Sequence, residues 1–345
     1  MNRTDLATIR AMFDAFVDPI ILLDEHGNIL QFNRAARARF GNEHLGARAD
    51  SILNTPQILK GIDQALQGKS SDSIEIVLPD NIEHTYNCNV APLFFSKSEG
   101  TPRVMVTLHD ITDVRRSEQL RVDFLSNASH ELKTPLASIL GFIETLQGPA
   151  KGDEEAHERF LAIMHSQASR MTRLVQDLLS LARIEFNEHI TPTGRIDIAM
   201  LAKQAVDMLE KRAAERSVSL RLHINHELPL VFGDSDQLMQ LLQNLIDNAI
   251  KYTSEGTPID ITLLPEEKKV HLIVRDHGPG IDRHHLARLT ERFYRIDSGR
   301  SRSMGGTGLG LSIVKHIINR HRGSLLIESE LGKGSTFSVH LPIAV

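Results

Sequence analysis

The chain has 345 residues, 41% of them hydrophobic and 24% charged, a size and composition that suit two or three domains. Its net charge of −5, from 39 basic and 44 acidic side chains, argues against nucleic-acid binding. The single cysteine, Cys88, excludes an internal disulfide and a cysteine-rich metal site, which fits a reducing cytoplasm. No apolar run approaches the roughly 20 residues that span a bilayer, so we expect no membrane-spanning helix.

The first hundred residues carry the pattern of a small α+β module. Residues 3–13 predict a short amphipathic helix and lack the continuous apolar stretch of a signal peptide. An apolar run ending at Asp24, a turn, a second apolar run and a helix from Arg34 follow. Three further strands are predicted at 74–78, 85–90 and 103–109. This five-stranded pattern, with its exit into a helix at 110–112, resembles a PAS sensor domain.

The next region predicts two long helices. From about Asp113 there is no glycine or proline until Pro135, and apolar residues recur every three or four positions as far as Ile143. A break at 148–153 precedes a second amphipathic run over 160–181. We expect an antiparallel hairpin, and because a lone hairpin cannot enclose its apolar stripe, two chains should pair into a four-helix bundle. The chain is therefore predicted to be a homodimer.

The last 150 residues alternate helical and strand patterns after a boundary at 191–194. The predicted elements, in chain order, are a helix near 199–214, a strand near 218–224, a helix at 234–251 and strands near 258–264 and 270–275. Such alternation is typical of a mixed α/β sandwich. We therefore expect three domains, at 1–113, 114–190 and 195–345.

The first long helix concentrates reactive side chains. His130 and Thr134 are four residues apart on one helix face, and Glu131 flanks the histidine. Imidazole is nucleophilic and largely neutral at pH 7, and an adjacent carboxylate can accept its ring proton as a phosphoryl group arrives. Pro135 lacks an N–H group, so a kink is expected beside the histidine. Threonine at position 134 disfavours a zinc-binding His-Glu-x-x-His helix.

A helix at 237–252 carries a polar stripe on an otherwise apolar surface. Asn244, Asn248 and Lys251 are four and three residues apart on one face. Amide oxygens are hard ligands suited to Mg²⁺, and a lysine supplies positive charge to phosphate. The stripe alone is also consistent with an ordinary solvated helix face.

Two glycine-containing segments lie beside predicted elements. The strand at 270–275 runs into 276–281, where the carboxylate of Asp276 can accept from an exocyclic amine and glycines let the backbone approach a planar base. The loop at 305–311 opens onto a helix and can present unpaired N–H groups to an anion. It is neither a Walker A loop nor a Gly-x-Gly-x-x-Gly fingerprint.

Together these segments resemble the sequence boxes of HisKA-type sensor histidine kinases, in family order over 114–345. The matches are the H-box at 129–136, the N-box at 237–252, the G1 box at 276–281, the F-box at 291–295, the G2 box at 305–311 and the G3 turn at 332–337. The resemblance implies a catalytic domain of the histidine kinase, gyrase and chaperone type that binds ATP with Mg²⁺. It also implies that His130 is phosphorylated, that Glu131 is the base and that Thr134 positions water for the reverse reaction.

The resemblance places further residues around the nucleotide. Asn244 and Asn248 would hold Mg²⁺, and Asp276 would bind the adenine N6 amine. The full set is Asn244, Asn248, Lys251, Tyr252, Asp276, Gly278, Gly280, Arg292, Arg295, Gly306, Thr307, Gly308, Leu309 and Gly310. For the two arginines, ordinary surface charge is a nearly equal explanation. A run at 298–303, with Met304, is expected to form a mobile lid.

The resemblance also implies partners. The family passes its phosphoryl group to an aspartate of a separate response regulator and commonly dephosphorylates that regulator. The segment 141–150 and the PAS-like front end most resemble phosphate-regulon sensor kinases, which indicates signalling of phosphate starvation. Those proteins commonly have N-terminal membrane helices and this chain shows none. We therefore expect a cytoplasmic protein and leave open a peripheral membrane association through a partner.

Three other functions are compatible with parts of this sequence. A nucleotide-binding scaffold, or a sensor dominated by phosphatase activity, would bind nucleotide without net kinase activity, but the intact His130, Asn248 and Asp276 argue against it. An ATPase of the gyrase and mismatch-repair group would carry a glutamate where this chain has Asn244. A haem or flavin in the PAS-like module is not expected, because Cys88 lacks a flavin-binding loop around it and is best explained as a small buried hydrophobe.

Overall fold

The computed structural model describes residues 3–70, 73–78, 83–94, 103–224, 227–296 and 306–344. Contacts divide the chain into two units, Met1–Asp123 and Phe124–Val345. The predicted lid at 298–303, with Met304, lies outside the described residues.

The first unit is a five-stranded antiparallel sheet with the strand order β2-β1-β5-β4-β3. Its elements are α1 (Arg3–Ala15), β1 (Ile20–Leu23), β2 (Ile29–Phe32), α2 (Arg34–Phe40), α3 (Pro56–Leu66), β3 (Ile74–Leu78), β4 (His84–Pro92) and β5 (Val104–Asp110). The predicted α+β module is confirmed. Cys88 is fully buried on β4, and burial raises the pKa of its thiol to about 12, so the thiol behaves as a packing group.

A buried asparagine organises the start of this sheet. Asn33 caps α2, where its Oδ1 accepts hydrogen bonds from the amides of Ala36 and Ile20, both at 2.9 Å. Its Nδ2 donates to the carbonyls of Phe16 and Asp18. One side chain therefore joins the helix cap, the first strand and the segment before it, which explains why a fully buried amide is tolerated here.

The second unit begins with a helical hairpin formed by α4 (Thr112–Gln147), from Phe124 onward, and α5 (Glu154–Phe186). Phe142 stacks on Phe160 with ring centroids 4.9 Å apart, while Glu131, earlier on α4, pairs with Arg170, later on α5. The helices are therefore antiparallel, as predicted. Helix α4 continues through Pro135 as a single segment.

The hairpin leaves large apolar side chains on its surface. Six of them are between 42% and 59% exposed: Leu125, Leu136, Leu140, Leu161, Val175 and Leu179. Large apolar side chains left exposed on both helices are consistent with an interaction surface on the hairpin.

The rest of the second unit is an α/β sandwich. Its elements are β6 (Gly194–Ile196), α6 (Ile198–Ala214), β7 (Ser219–Ile224), β8 (Val231–Gly233), α7 (Ser235–Tyr252), β9 (Pro258–Pro265), β10 (Lys269–Arg275), α8 (Arg283–Leu286), α9 (Gly310–Arg320), β11 (Ser324–Glu330) and β12 (Gly334–Pro342). The main sheet has the order β11-β12-β10-β9-β7, with β7 parallel to β9 and the other neighbours antiparallel. Buried residues of α6, α7 and α9 join the inner face of this sheet in one core.

A buried histidine links the end of α9 to the start of α7. His321 is 1% exposed, its Nδ1 donates to the carbonyl of Ile317 at 2.7 Å, and its Nε2 accepts from the amide of Asp234 at 3.0 Å. These two bonds require the neutral ring with the proton on Nδ1. Burial accordingly lowers the pKa of His321 from its usual 6.5.

We expect this histidine to make the second unit less stable in mild acid. Below about pH 6.5 the unfolded chain takes up a proton at His321 that the folded chain does not, so the free energy of unfolding falls by up to about 1.4 kcal/mol per pH unit until the folded pKa is reached. Urea midpoints measured between pH 5 and pH 8 for wild type and His321→Gln would check this. The wild type should lose more stability on acidification than the variant, whereas the exposed-site control His223→Gln should follow the wild type.

Candidate functional site

A cavity of about 350 Å³ lies between α7, the segment after β10, the N-terminus of α9 and one side of α5. Its size falls within the range of small-molecule sites. The predicted nucleotide residues that line it are Asn244, Asn248, Lys251, Tyr252, Asp276, Gly280, Arg295, Gly306, Thr307, Gly308 and Gly310. Gly278, Arg292 and Leu309 do not line it.

Helix α7 contributes the polar stripe. Its apolar face is buried in the core, while Asn244, Asn248 and Lys251 face the cavity. Lys251 Nζ is 2.7 Å from Asp247 Oδ2, an i,i+4 pair. The amide nitrogen of Asn244 is buried and has no hydrogen-bond partner within the described residues. An unpaired buried N–H group costs free energy, so this nitrogen is available to donate to an acceptor other than the described residues.

The loop after β10 holds a buried carboxylate. Asp276 is 4% exposed, and its Oδ1 accepts from the amides of Gly278 at 2.8 Å and Ser335 at 3.2 Å. Burial raises the pKa of Asp276, and these two hydrogen bonds partly offset that rise. Gly280, at φ +70°, passes so close to the carbonyl of Glu330 that a Cβ would lie 2.0 Å from its oxygen. Only glycine fits there, which explains its place in the motif.

The glycine loop packs against the segment around Phe293. Gly308 has φ +76°, and a Cβ there would lie 2.9 Å from the Cα of Phe293. The Phe293 amide donates to the Gly308 carbonyl at 2.9 Å. Leu309 is fully buried and Gly310 begins α9, so the loop is anchored by its leucine while the helix N-terminus faces the cavity. This geometry suits an anion at the helix end.

Helix α5 closes one side of the cavity with Asp177. Its Oδ2 accepts from the Thr307 hydroxyl at 2.8 Å. Burial raises the pKa of Asp177, while the charges of Lys251 and Arg173 lower it. A carboxylate therefore lies beside the residues that the sequence predicts to hold phosphate.

The predicted phosphoacceptor segment lies on the same hairpin. His130 is exposed, and the Thr134 hydroxyl donates to the His130 carbonyl at 3.2 Å. Glu131 is mostly buried by Arg170 of α5 and by Arg295, whose Nη2 atoms lie 2.5 Å and 3.3 Å from its Oε2. The structure thus brings Arg295 to the carboxylate next to the histidine.

Arg292 also contacts the hairpin. Its Nη2 is 2.6 Å from Glu185 of α5, and its guanidinium lies over the ring of Phe124 at 5.2 Å. The rings of Phe124 and Phe293 are 5.8 Å apart. In this arrangement Arg292 holds the catalytic part of the second unit against the hairpin.

Sequence reasoning missed Asp177, Arg170 and Asp247. Asp247 had a detectable signal, since it precedes Lys251 by four residues on a helix. Asp177 and Arg170 had none, because polar positions of an amphipathic helix normally face water. Their roles become visible only when α5 packs against the cavity.

Three family models match consecutive parts of the chain. They are the PAS fold over residues 13–116, the His Kinase A (phospho-acceptor) domain over 120–187, and the histidine kinase-, DNA gyrase B- and HSP90-like ATPase over 233–345.

Whole-chain similarities agree with these matches. The chain is 36% identical over 329 residues to the phosphate regulon sensor protein PhoR of Pseudomonas aeruginosa, across 94% of this chain and 72% of PhoR. It is 31% identical over 340 residues to the sensor protein SrrB of Staphylococcus aureus, across 96% of this chain but 55% of SrrB, so it spans about half the length of that relative.

Solved structures share the fold. The histidine kinase AdeS of Acinetobacter baumannii superposes with a TM-score of 0.50 at 25% identity, over 63% of this chain and 98% of AdeS. The histidine kinase ThkA, solved in complex with the response regulator protein TrrA, superposes with a TM-score of 0.52 at 21% identity. The superposition covers 97% of this chain and 98% of the matched chain.

The fold and the cavity of the second unit define a nucleotide-binding domain joined to a helical phosphoacceptor hairpin, and the first unit, earlier in the sequence, has the PAS fold. The chain belongs to the two-component sensor histidine kinases. The predicted family, fold class, ATP-binding domain and histidine kinase activity are thereby confirmed. Among the helices of the described ranges, none combines the length and apolar character needed to cross a membrane.

We expect Asp177→Asn to tighten ATP binding by about three- to tenfold. The amide oxygen can still accept from Thr307, but the negative charge beside the phosphates is gone, and like-charge repulsion in a partly buried site amounts to about 1 kcal/mol or more. Isothermal titration with ATP and Mg²⁺ would measure the change. Asp207→Asn, at an exposed position of α6, is the matched control. Unchanged or weaker binding by Asp177→Asn would show that this carboxylate does not face the phosphates.

Proposed function

We propose that this histidine kinase transfers the γ-phosphoryl group of ATP to the imidazole of His130 and then to an aspartate of a separate response regulator. The observation that carries the proposal is the position of His130. It is exposed on α4, directly before a carboxylate, in the same unit as a cavity lined by the predicted nucleotide residues.

The cavity residues take distinct roles in this proposal. Asp276 accepts from the adenine amine, Lys251 and the amides of the glycine loop bind phosphate oxygens, and Tyr252 lines the nucleotide. Asn244 and Asn248 supply hard amide oxygens that fit Mg²⁺. The unpaired amide nitrogen of Asn244 is a hydrogen-bond donor, which suits a phosphate oxygen. When bound, the cation would neutralise phosphate charge.

The chemistry then depends on positioning. The His130 nitrogen forms a bond to the γ-phosphorus, the bond from that phosphorus to the bridging oxygen breaks, and ADP leaves with the electron pair. The proton on the other ring nitrogen of His130 passes to Glu131. In the structure Glu131 is paired with Arg170 and Arg295, so we infer that transfer follows release of these pairs.

The apolar surface of the hairpin supports a homodimer. Exposed apolar side chains lie on both helices, and a second hairpin would cover them in a four-helix bundle: Leu125, Leu136 and Leu140 on α4, and Leu161, Val175 and Leu179 on α5. The proposed domain limits remain 1–113, 114–190 and 195–345.

We also propose that the kinase is bifunctional. Thr134 lies one turn after His130, where its hydroxyl could orient water toward a phosphorylated regulator once it leaves the backbone carbonyl that it contacts here. Loss of regulator dephosphorylation in Thr134→Ala, with autophosphorylation kept, would support this role.

Phosphate-starvation signalling is the finer proposal. It is supported by the similarity to PhoR, while the similarity to SrrB shows that other sensor proteins share much of the sequence. Phosphotransfer rates from the phosphorylated chain to a panel of purified regulators would test it. A regulator of another system that is preferred over the phosphate-regulon regulator would contradict it. The proposed location is the cytoplasm, with peripheral membrane association left open.

The kinase proposal is tested with γ-labelled ATP and Mg²⁺. Acid-labile, alkali-stable label should appear on wild type and on His165→Gln, a control at an exposed histidine of α5, and should be absent from His130→Gln and Asn248→Ala. Label on His130→Gln would move the acceptor elsewhere. A wild type that binds ATP without being labelled would favour the scaffold or the phosphatase-dominated sensor.

A further inference from the structure

A cluster of two histidines and a glutamate lies on the outer face of the main sheet. His271 of β10 and His340 of β12 are directly opposite each other in the antiparallel register. The neighbours of His271, Val270 and Leu272, are fully buried against the helices, so the histidine is on the opposite face. Glu266, in the turn between β9 and β10, reaches the same point.

The three side chains converge on a small volume. Glu266 Oε1 is 3.4 Å from His271 Nδ1 and 3.5 Å from His340 Nε2. The two imidazole rings stack with centroids 4.2 Å apart and planes 16° from parallel. One nitrogen or oxygen atom from each residue lies within 4.8 Å of the others.

These distances are those of an open coordination shell. A tetrahedral cation with bonds of about 2.0–2.2 Å holds its ligand atoms about 3.4 Å apart. Both glutamate-to-histidine distances are close to that value, at 3.4 Å and 3.5 Å. Because an imidazole binds a cation in the plane of its ring, the two stacked rings would turn out of their parallel arrangement on binding. We infer that Glu266, His271 and His340 form a binding site for a late first-row divalent cation, with Zn²⁺ as the best fit.

The donor set selects the class of cation. Imidazole nitrogens favour Zn²⁺, Ni²⁺ and Cu²⁺, whereas Mg²⁺ and Ca²⁺ prefer a shell made of oxygens. Three protein ligands leave a fourth position for water or for a group from another molecule. The site therefore differs in chemistry from the proposed Mg²⁺ position beside ATP.

The surroundings keep the ligands ready for a cation. The Nε2 atom of His271 is buried without a hydrogen-bond partner in the described ranges, so no such bond at that nitrogen fixes the ring orientation. Paired strands carry both histidines, so little backbone adjustment is needed.

The site is separate from the nucleotide cavity. His271 lies five residues before Asp276 on β10, about 16 Å along an extended strand, and none of the three ligands lines the cavity. A bound cation would tie the β9–β10 turn to β12. The competing explanation is an ordinary pairing of one carboxylate with two histidines, which predicts no metal affinity beyond that of other surface histidines.

Zn²⁺ titration of the full chain, freed of metal with a chelator, tests the inference. Isothermal titration would compare wild type with His271→Gln, His340→Gln and the double variant. The matched control is His223→Gln, an exposed histidine on the same sheet face that also faces a carboxylate, Asp260. Co²⁺ substitution gives a second readout, because tetrahedral Co²⁺ has visible absorption bands that exposed single histidines do not produce.

We expect one Zn²⁺ per wild-type chain, with affinity reduced at least about tenfold in each single variant and unchanged in His223→Gln. The Co²⁺ bands should be lost in the double variant, and Zn²⁺ should raise the melting temperature of wild type but not of that variant. Retained ATP binding would show that the variants are folded. Equal Zn²⁺ affinity in wild type and double variant, or a wild type without Co²⁺ bands, would overturn the site.

Discussion

Replacing Glu131 with glutamine is expected to lower the rate of His130 autophosphorylation by about 10²- to 10⁴-fold, the usual contribution of a positioned general base. Glutamine keeps the size of the side chain but cannot accept the ring proton at neutral pH. Glu131 does not line the nucleotide cavity, but its partner Arg295 does, so any change in ATP affinity would come through Arg295 and is separated from the rate by saturating ATP. The change should therefore appear in the rate at saturating ATP.

The ion pairs of Glu131 give this experiment a second diagnostic outcome. In the structure its carboxylate is held by Arg170 and Arg295, both of them less exposed than the glutamate itself. If Glu131 acted mainly as a latch between the hairpin and the catalytic domain, neutralising it would release the domain and raise the rate. A decrease supports the base, whereas an increase supports the latch and contradicts the proposed role.

Rapid-quench measurements of labelled protein from pH 6 to pH 9 would separate these outcomes. Glu144→Gln is the matched control, because Glu144 lies exposed on the same helix. It should retain the wild-type rate. A rate for Glu131→Gln within threefold of wild type would exclude both roles.

Periodic elements of this chain were predictable from the sequence. The strands β9 and β10 alternate buried and outward side chains, and α7 repeats apolar residues at helical spacing, so each pattern reports one buried face. The long hairpin was predictable for the same reason, with a break at 148–153 that separates its helices.

Short or partly buried elements were less visible. Strands β6 and β8 have three residues each, too few to establish a period; they pair with each other, and Val231 of β8 also forms a bridge with Ile343. Helix α3 has one buried apolar face, on which Ile58, Ile62 and Ala65 recur about one helical turn apart. The rest of the segment has a mixed composition. These elements form because tertiary contacts stabilise them, which local sequence does not encode.

The residues of the candidate site also fall into a predictable group and an unpredictable one. The motif residues of α7, β10 and α9 gather around one cavity, as the order of the boxes predicts. The residues that α5 contributes, Asp177 and Arg170, depend on how the hairpin packs against that cavity. The distance between sequence positions, 130 residues for Asp177 and Thr307, explains why no local pattern could reveal the contact.

Asp276→Asn is expected to weaken ATP binding by about 10- to 100-fold. Oδ1 of Asp276 already accepts from two backbone amides, which leaves Oδ2 as its other acceptor. Asparagine keeps an oxygen for those amides, but it presents an NH₂ group in place of Oδ2, so two donors would face each other at the adenine amine. Losing a hydrogen bond to a charged group costs about 1.5–3 kcal/mol, which corresponds to the expected range.

An ATP analogue makes the prediction specific to the base. Purine riboside triphosphate lacks the N6 amine and keeps the ribose and phosphates. Wild type should bind it more weakly than ATP by a similar factor, and Asp276→Asn should no longer distinguish the two nucleotides. Asp282→Asn is the control, because Asp282 caps the short helix α8 in the next segment and asparagine caps equally well. If Asp276→Asn weakened both nucleotides equally, the carboxylate would be supporting the loop through Gly278 and Ser335 and would not be contacting adenine.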